Sequence, residues 1–270
     1  MIQKLTRGLL KLLPEAAAYR LLAAQLGRTA EVAMLPVEEA AMASAKLFRF
    51  GPQQQGLAYE WGSGPLVIFV HGWGGRAAQM APLATALASE GYRCVALEIP
   101  GHGSPGRRST RWHYFPRDIE ALTQALGNEV LAYVGHSSGG TTMMAARRNG
   151  RIHAQRYICI CSPCYPFLSI DAARNIFNVS EGVMKRYKLH LANAFGVAWD
   201  ELEAGGSFLG AAENLLLVYA GKDKMVPQQE GDRIHALCAG STLFKTQNYG
   251  HRSILSAPEL RVETLNFLKQ

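Results

Sequence analysis

At 270 residues, 48% of them hydrophobic and 18% charged, the chain has enough apolar material for a sizeable core, which excludes a disordered or low-complexity protein. No apolar run approaches the roughly 20 residues that a bilayer-spanning helix needs, so an integral membrane protein built on such helices is excluded too. The net charge of +7 suits acidic substrates or an anionic surface and is silent on fold. Five cysteines (Cys94, Cys159, Cys161, Cys164 and Cys238) form an odd set without disulfide-scaffold spacing, and a reduced cytoplasmic compartment is expected.

Residues 1–45 read as a helical arm. Leu5, Leu9 and Leu12 mark an apolar stripe, Pro14 opens a second helix, and Gly27 can stop it. Lys11, Pro14, Glu15 and Arg20 interrupt the apolar stretch before it could serve as a signal-peptide core, so the arm is read as retained. Up to position 28, Lys4, Arg7, Lys11, Arg20 and Arg28 stand against Glu15 alone. An arm packed on the domain or on a second subunit is the expected reading, with weak contact to an anionic membrane surface as the alternative. Oligomeric state is not legible.

From residue 46 onward, short apolar runs alternate with helix-length amphipathic segments. Strands are expected at residues 47–50, 57–61, 66–70, 94–99, 130–134, 157–161, 215–219 and 242–246. Helices are expected at residues 77–90, from Pro116, just after Ser138, at residues 228–237 and from Pro258. Continuous apolar strands separated by helices predict an α/β domain with a doubly wound, mostly parallel sheet, here over residues 46–164 and 213–270. Residues 165–212 carry helical patterning without a strand and are too long for a connector. They read as a helical lid inserted between two core strands, with Phe177 and Met184 as its substrate-binding side chains.

Gly135-His136-Ser137-Ser138-Gly139 follows an expected strand and opens an expected helix. In that context Gly-x-Ser-x-Gly is a sharp turn that exposes the serine hydroxyl above the sheet edge, with free N–H groups at the helix start. His71-Gly72-Trp73-Gly74-Gly75 follows another strand and so reaches the same edge of a parallel sheet. The backbone N–H groups of Trp73 and Ser138 are the candidate oxyanion donors. A serine nucleophile needs a base and a group that orients the base. His251 and Asp223 each lie just beyond a separate late strand, in the order Ser137, Asp223, His251. His102 sits in a tight turn and His136 beside the serine, both read as structural.

These features resemble the α/β-hydrolase superfamily, in its serine esterase and lipase-like branch, over roughly residues 46–270. Besides the two turns above, the resemblance rests on Pro100-Gly101-His102-Gly103-Ser104, the insertion before Leu215, Asp223-Lys224-Met225-Val226-Pro227, and Gly250-His251. It implies Ser137 as nucleophile, His251 as base and Asp223 as its orienting carboxylate, acting without cofactor on a small-molecule ester. Thioesterase, C–C hydrolase and perhydrolase-like activities, or a non-catalytic binding module, are the alternatives on the same fold. Two departures stand out: Glu98 replaces the usual aspartate before the Pro-Gly-His-Gly turn, and the small Ser138 follows the nucleophile. Cys161-Ser162-Pro163-Cys164 lacks a second ligand pair at zinc spacing, so no metal is expected. Two arginine clusters, Arg147, Arg148, Arg151 and Arg156, and Arg107, Arg108 and Arg111, read as solvated surface. Aromatics do not interleave them, so no nucleic-acid partner is expected.

Overall fold

Every segment expected as a strand enters one sheet. In chain order the strands are β1 (Lys46–Phe50), β2 (Gly56–Trp61), β3 (Leu66–Val70), β4 (Arg93–Glu98), β5 (Ala132–His136), β6 (Arg156–Ile160), β7 (Leu215–Ala220) and β8 (Thr242–Thr246). This computed structural model describes residues 2–30, 32–102, 109–127 and 129–270, with side chains from residue 6 onward. The spatial order is β1-β2-β4-β3-β5-β6-β7-β8. β1 and β2 join antiparallel, and from β4 to β8 each neighbouring pair is parallel. β5 runs two residues later than its apolar run predicts, because Gly135 and His136 extend the ladder opposite Cys159 and Ile160.

The helices are α1 (Ile2–Leu12), α2 (Glu15–Leu26), α3 (Pro36–Met42), α4 (Ala81–Ala88), α5 (Tyr114–Leu126), α6 (Ser138–Arg148), α7 (Phe167–Asp171), α8 (Glu181–Phe195), α9 (Trp199–Glu203), α10 (Gln229–Leu237) and α11 (Pro258–Leu268). β3, β5 and β7 are buried along their whole length because both sheet faces are covered. On one face Ile68, Val70, Leu97, Tyr133 and Leu217 meet Ile119 of α5, Met143 of α6 and Ile234 of α10. On the other, Val67, Phe69, Ala96, Val134 and Val218 meet Leu83 of α4 and Leu260 of α11. From β3 the chain steps outward to β4 and then crosses back past β3 to β5, so the strand order reverses between β3 and β5. The crevice beyond the carboxyl ends of the strands at that switch is where this kind of sheet binds ligands.

A third apolar cluster sits apart from the sheet. Val183, Met184, Tyr187 and Leu191 of α8 pack with Ala18 and Leu22 of α2, Leu10 of α1, and Trp112. The arm expected at residues 1–45 thus goes to two places. Its first two helices share a core with the insertion, whereas α3 lies on the sheet domain, where Trp61 Nε1–H donates to the Ala41 carbonyl at 3.0 Å. Two leucines of the expected apolar stripe face outward: Leu9 and Leu12 are 48% and 83% exposed, while Thr6 and Leu10 are buried among the described residues of α1. α1 packs along α2. The side chain of Leu5, like Gly103, Ser104, Arg107 and Arg108, lies outside the described residues. Among those residues no helix is long and apolar enough to cross a membrane.

The arginines of the first cluster are not simply solvated. Arg148 pairs with Glu201 at 3.2 Å, Arg151 approaches Glu120 at 4.0 Å, and Arg147 donates to carbonyls of Ser207, Leu209 and Gly210. They staple α6 to the insertion and to α5.

Candidate active site

Ser137 stands between the end of β5 and the start of α6 with φ 54° and ψ −130°, a backbone conformation that a residue with a Cβ avoids. The strain is held by close packing. A Cβ on Gly139 would come within 2.3 Å of the His71 carbonyl oxygen, and one on Gly135 within 2.4 Å of the Gly140 Cα. Only glycine permits this approach of helix to strand. The Ser137 N–H donates to the Ile160 carbonyl at 2.9 Å, fixing the turn to β6.

Asp223 follows β7, and His251 follows β8. The His251 Nδ1–H donates to Asp223 Oδ2 at 2.6 Å, and Asp223 Oδ1 accepts from the N–H groups of Met225 and Val226 at 2.8 and 2.9 Å. Burial alone would raise the Asp223 carboxyl. The hydrogen bond and charge of His251, with the two N–H donors, outweigh it and hold the group below the ordinary carboxylate value. The proton on Nδ1 leaves Nε2 of His251 as an acceptor, the tautomer a general base requires.

His136, set aside at sequence level, supports that histidine. Its ring lies 4.6 Å from the His251 ring, and its Nε2–H donates to the His251 carbonyl at 2.8 Å. Burial first, and then the charge of His251, push the His136 imidazole down to about 3, so it stays neutral beside a protonated partner. The next residue, Arg252, clasps buried Glu38 of α3 through two contacts of 3.1 and 2.6 Å. The loop carrying His251 is thereby tied to the N-terminal arm, a link with no signature in sequence.

The turn after β3 is ordered from below. His71 Nδ1–H donates to the Gly72 carbonyl at 2.8 Å, and its Nε2 accepts from the Ile99 N–H at 3.1 Å. Buried His102 packs edge-on against Trp73 at 5.7 Å, a structural position. The Trp73 N–H, expected to be free for an oxyanion, donates to the Ser138 hydroxyl at 2.6 Å. The hydroxyl of Ser138 thus occupies one of the two candidate oxyanion donors.

Glu98, the other departure, accepts from the Ala77 N–H at 3.0 Å through one oxygen, while the other has no hydrogen-bond partner. Burial pushes its carboxyl up to about 7. A group that holds its proton more tightly when folded contributes stability at low pH that is lost as pH rises through its folded value. Glu98→Gln should therefore overtake the wild type as pH climbs from 4.5 to about 7. The gap in unfolding free energy should grow by an order of 1–3 kcal/mol. Denaturant titrations at about pH 5 and pH 8 measure it, and an equal gap at both would refute the assignment.

A cavity of about 220 Å³ opens beside Ser137, walled by Leu26, Trp73, Trp112, Pro166, Leu168, Ala172 and Met225. The insertion does reach it, but through Pro166, Leu168, Ser169 and Ala172. Phe177 and Met184, expected to bind substrate, are absent from its walls. Both are buried in the third cluster against the N-terminal helices, because the arm, not the substrate, covers that apolar face. Leu26 and Trp112 were missed: neither lies near a motif, and only the folded arm carries Leu26 to the site.

Cys161 brings its sulfur within 4.8 Å of the Asp223 and His251 ligand atoms, the one such grouping among the described residues. Burial, and then the Asp223 charge, raise its thiol far above the ordinary value, and the carboxylate and imidazole already engage each other. That donor chemistry fits a buried thiol behind the Asp223–His251 pair better than a metal centre.

The model of the family described as alpha/beta hydrolase fold matches residues 65–212, more than half of the chain. The chain belongs to that family. Asp223 and His251 lie beyond the matched span. The chain is 35% identical over 85 residues to a non-heme chloroperoxidase of Streptomyces lividans, covering 30% of this chain and 31% of that protein. It is 33% identical over 89 residues to a bifunctional esterase/perhydrolase of Acinetobacter calcoaceticus, covering 30% and 31%. The chain thus matches about a third of the length of these curated relatives. A bromoperoxidase from Bacillus anthracis shares the fold with a TM-score of 0.59 at 17% identity, over 84% of this chain and 100% of that one.

Proposed function

We propose that this α/β hydrolase cleaves carboxylic esters through an acyl-enzyme on Ser137. The observation that carries the reading is the 2.6 Å hydrogen bond from His251 to a buried, doubly anchored Asp223, at the sheet edge where a strained Ser137 lines an apolar cavity. His251 Nε2 takes the hydroxyl proton as Ser137 Oγ bonds to the ester carbonyl carbon. The N–H groups of Trp73 and Ser138 hold the resulting oxyanion. His251 then gives its proton to the departing alcohol, activates water, and the second tetrahedral species collapses to the acid and free serine. Turnover of p-nitrophenyl esters of graded acyl length, with fluorophosphonate labelling, tests the reading; absence of both removes it.

The Ser138 hydroxyl occupies the Trp73 N–H in the resting site, so an oxyanion must displace it. A net hydrogen bond of this kind is worth about 1 kcal/mol, close to fivefold in rate. Ser138→Ala should raise kcat severalfold. A loss of more than about tenfold would instead make the hydroxyl itself an oxyanion donor.

A second reading is favoured by the likeness to an esterase/perhydrolase. Hydrogen peroxide in place of water would attack the same acyl-enzyme and release a peracid, with no change in the residues used. Peracid formation from an ester and peroxide measures it.

A further inference from the structure

A second cavity, of about 320 Å³, abuts the one at Ser137 and shares Leu26, Trp73 and Trp112 with it. Its chemistry is opposite. Where the Ser137 cavity is closed by proline, leucine, alanine and methionine, this one is lined by Arg20, Arg111, His190, Tyr19 and Ser109. No carboxylate stands among its described lining residues.

The walls are built rather than incidental. The Thr110 N–H donates to the Gly27 carbonyl at 2.8 Å, and Arg28 bridges to Ser109, which joins the segment before α5 to the end of α2. Tyr187 of α8 takes the Trp112 indole N–H on its hydroxyl at 3.3 Å and closes the floor. The two formally charged residues among its described lining, Arg20 and Arg111, are both cations. Burial raises the Tyr19 phenol while Arg111 pulls it down, and His190 is held below the ordinary imidazole value by burial, then by His113 and Arg111. Both groups therefore register the Arg111 charge across the cavity.

We propose that this cavity receives a carboxylate or phosphate carried by the ester, so that the substrate is an amphiphilic anionic ester whose apolar part lies in the Ser137 cavity. The inference rests on the ester-hydrolase reading above and names its substrate class. Guanidinium forks suit such oxyanions, because they offer paired donors and keep their charge at every working pH. Trp73 and Trp112, with ring centroids 4.2 Å apart, line both cavities, and on this reading the scissile carbonyl lies where the two meet, beside Ser137.

The test compares mono-p-nitrophenyl glutarate with neutral p-nitrophenyl butyrate, and reads the ratio of their kcat/KM values. Wild type should favour the anionic ester. Arg20→Gln and Arg111→Gln should each lower the ratio about tenfold, the low end for a charged hydrogen bond because both heads are exposed. Arg111→Glu should invert it. Binding is read separately from catalysis: free glutarate or inorganic phosphate should raise the melting temperature of the wild type and not of the double Gln variant. The larger shift identifies the anion. If no ester is turned over, the hydrolase reading fails and the melting shift alone decides the anion site. A ratio within twofold of wild type in all three variants, with no melting shift from either anion, overturns the inference.

Discussion

Ser137→Ala should reduce ester turnover by roughly 10⁶ in kcat, the scale on which removal of a triad serine acts, and abolish fluorophosphonate labelling. Two features make the effect specific to chemistry. The strained turn is held by backbone contacts, the Ser137 N–H to Ile160 and the glycine packing of Gly135 and Gly139, none of which involves the hydroxyl. Alanine also meets the same φ of 54° that serine tolerates, so it adds no new strain. The melting temperature should therefore stay within a few degrees of wild type while activity vanishes. Labelling that persists in the variant would place the nucleophile elsewhere.

What the sequence reveals depends on how local the physics is. The sheet was legible because a parallel strand buried on both faces must be apolar throughout, and runs such as Leu66 to Val70 or Leu215 to Tyr219 have no other economical fate. The serine turn was legible because its glycines are imposed by contacts within a few residues of Ser137 and with the adjoining strand. The pocket was not. Phe177 and Met184 have the hydrophobicity of substrate-binding residues, but any apolar face satisfies the same pattern, and here α2 covers it. Leu26 enters the pocket only through a fold in which the first helices lie across the insertion, a long-range contact without periodic trace. Ser138 shows a third kind of limit: its small size is plain from the sequence, but the direction of its hydroxyl toward the Trp73 N–H depends on how closely two loops approach.

Asp223→Asn should lower kcat by about 10⁴, as the equivalent change does in the best-studied triad, and the hydrogen bonds of this site say why. Asp223 Oδ1 accepts from two backbone N–H groups, of Met225 and Val226. An asparagine must place its amide oxygen there, because its NH₂ would meet two donors. That choice turns the NH₂ toward His251 Nδ1, which now accepts, and the imidazole proton moves to Nε2. The nitrogen that should take the Ser137 proton then carries one already. The fold is kept, since both N–H donors stay satisfied and the amide matches the carboxylate in shape. The same change at Asp171, Asp200 or Asp232 should do little. Asp171 and Asp200 lie in the insertion, and Asp232 pairs with Lys245 at the surface. Activity should also survive EDTA. An Asp223→Asn enzyme within tenfold of wild-type kcat would mean that His251 is not held by this carboxylate during turnover.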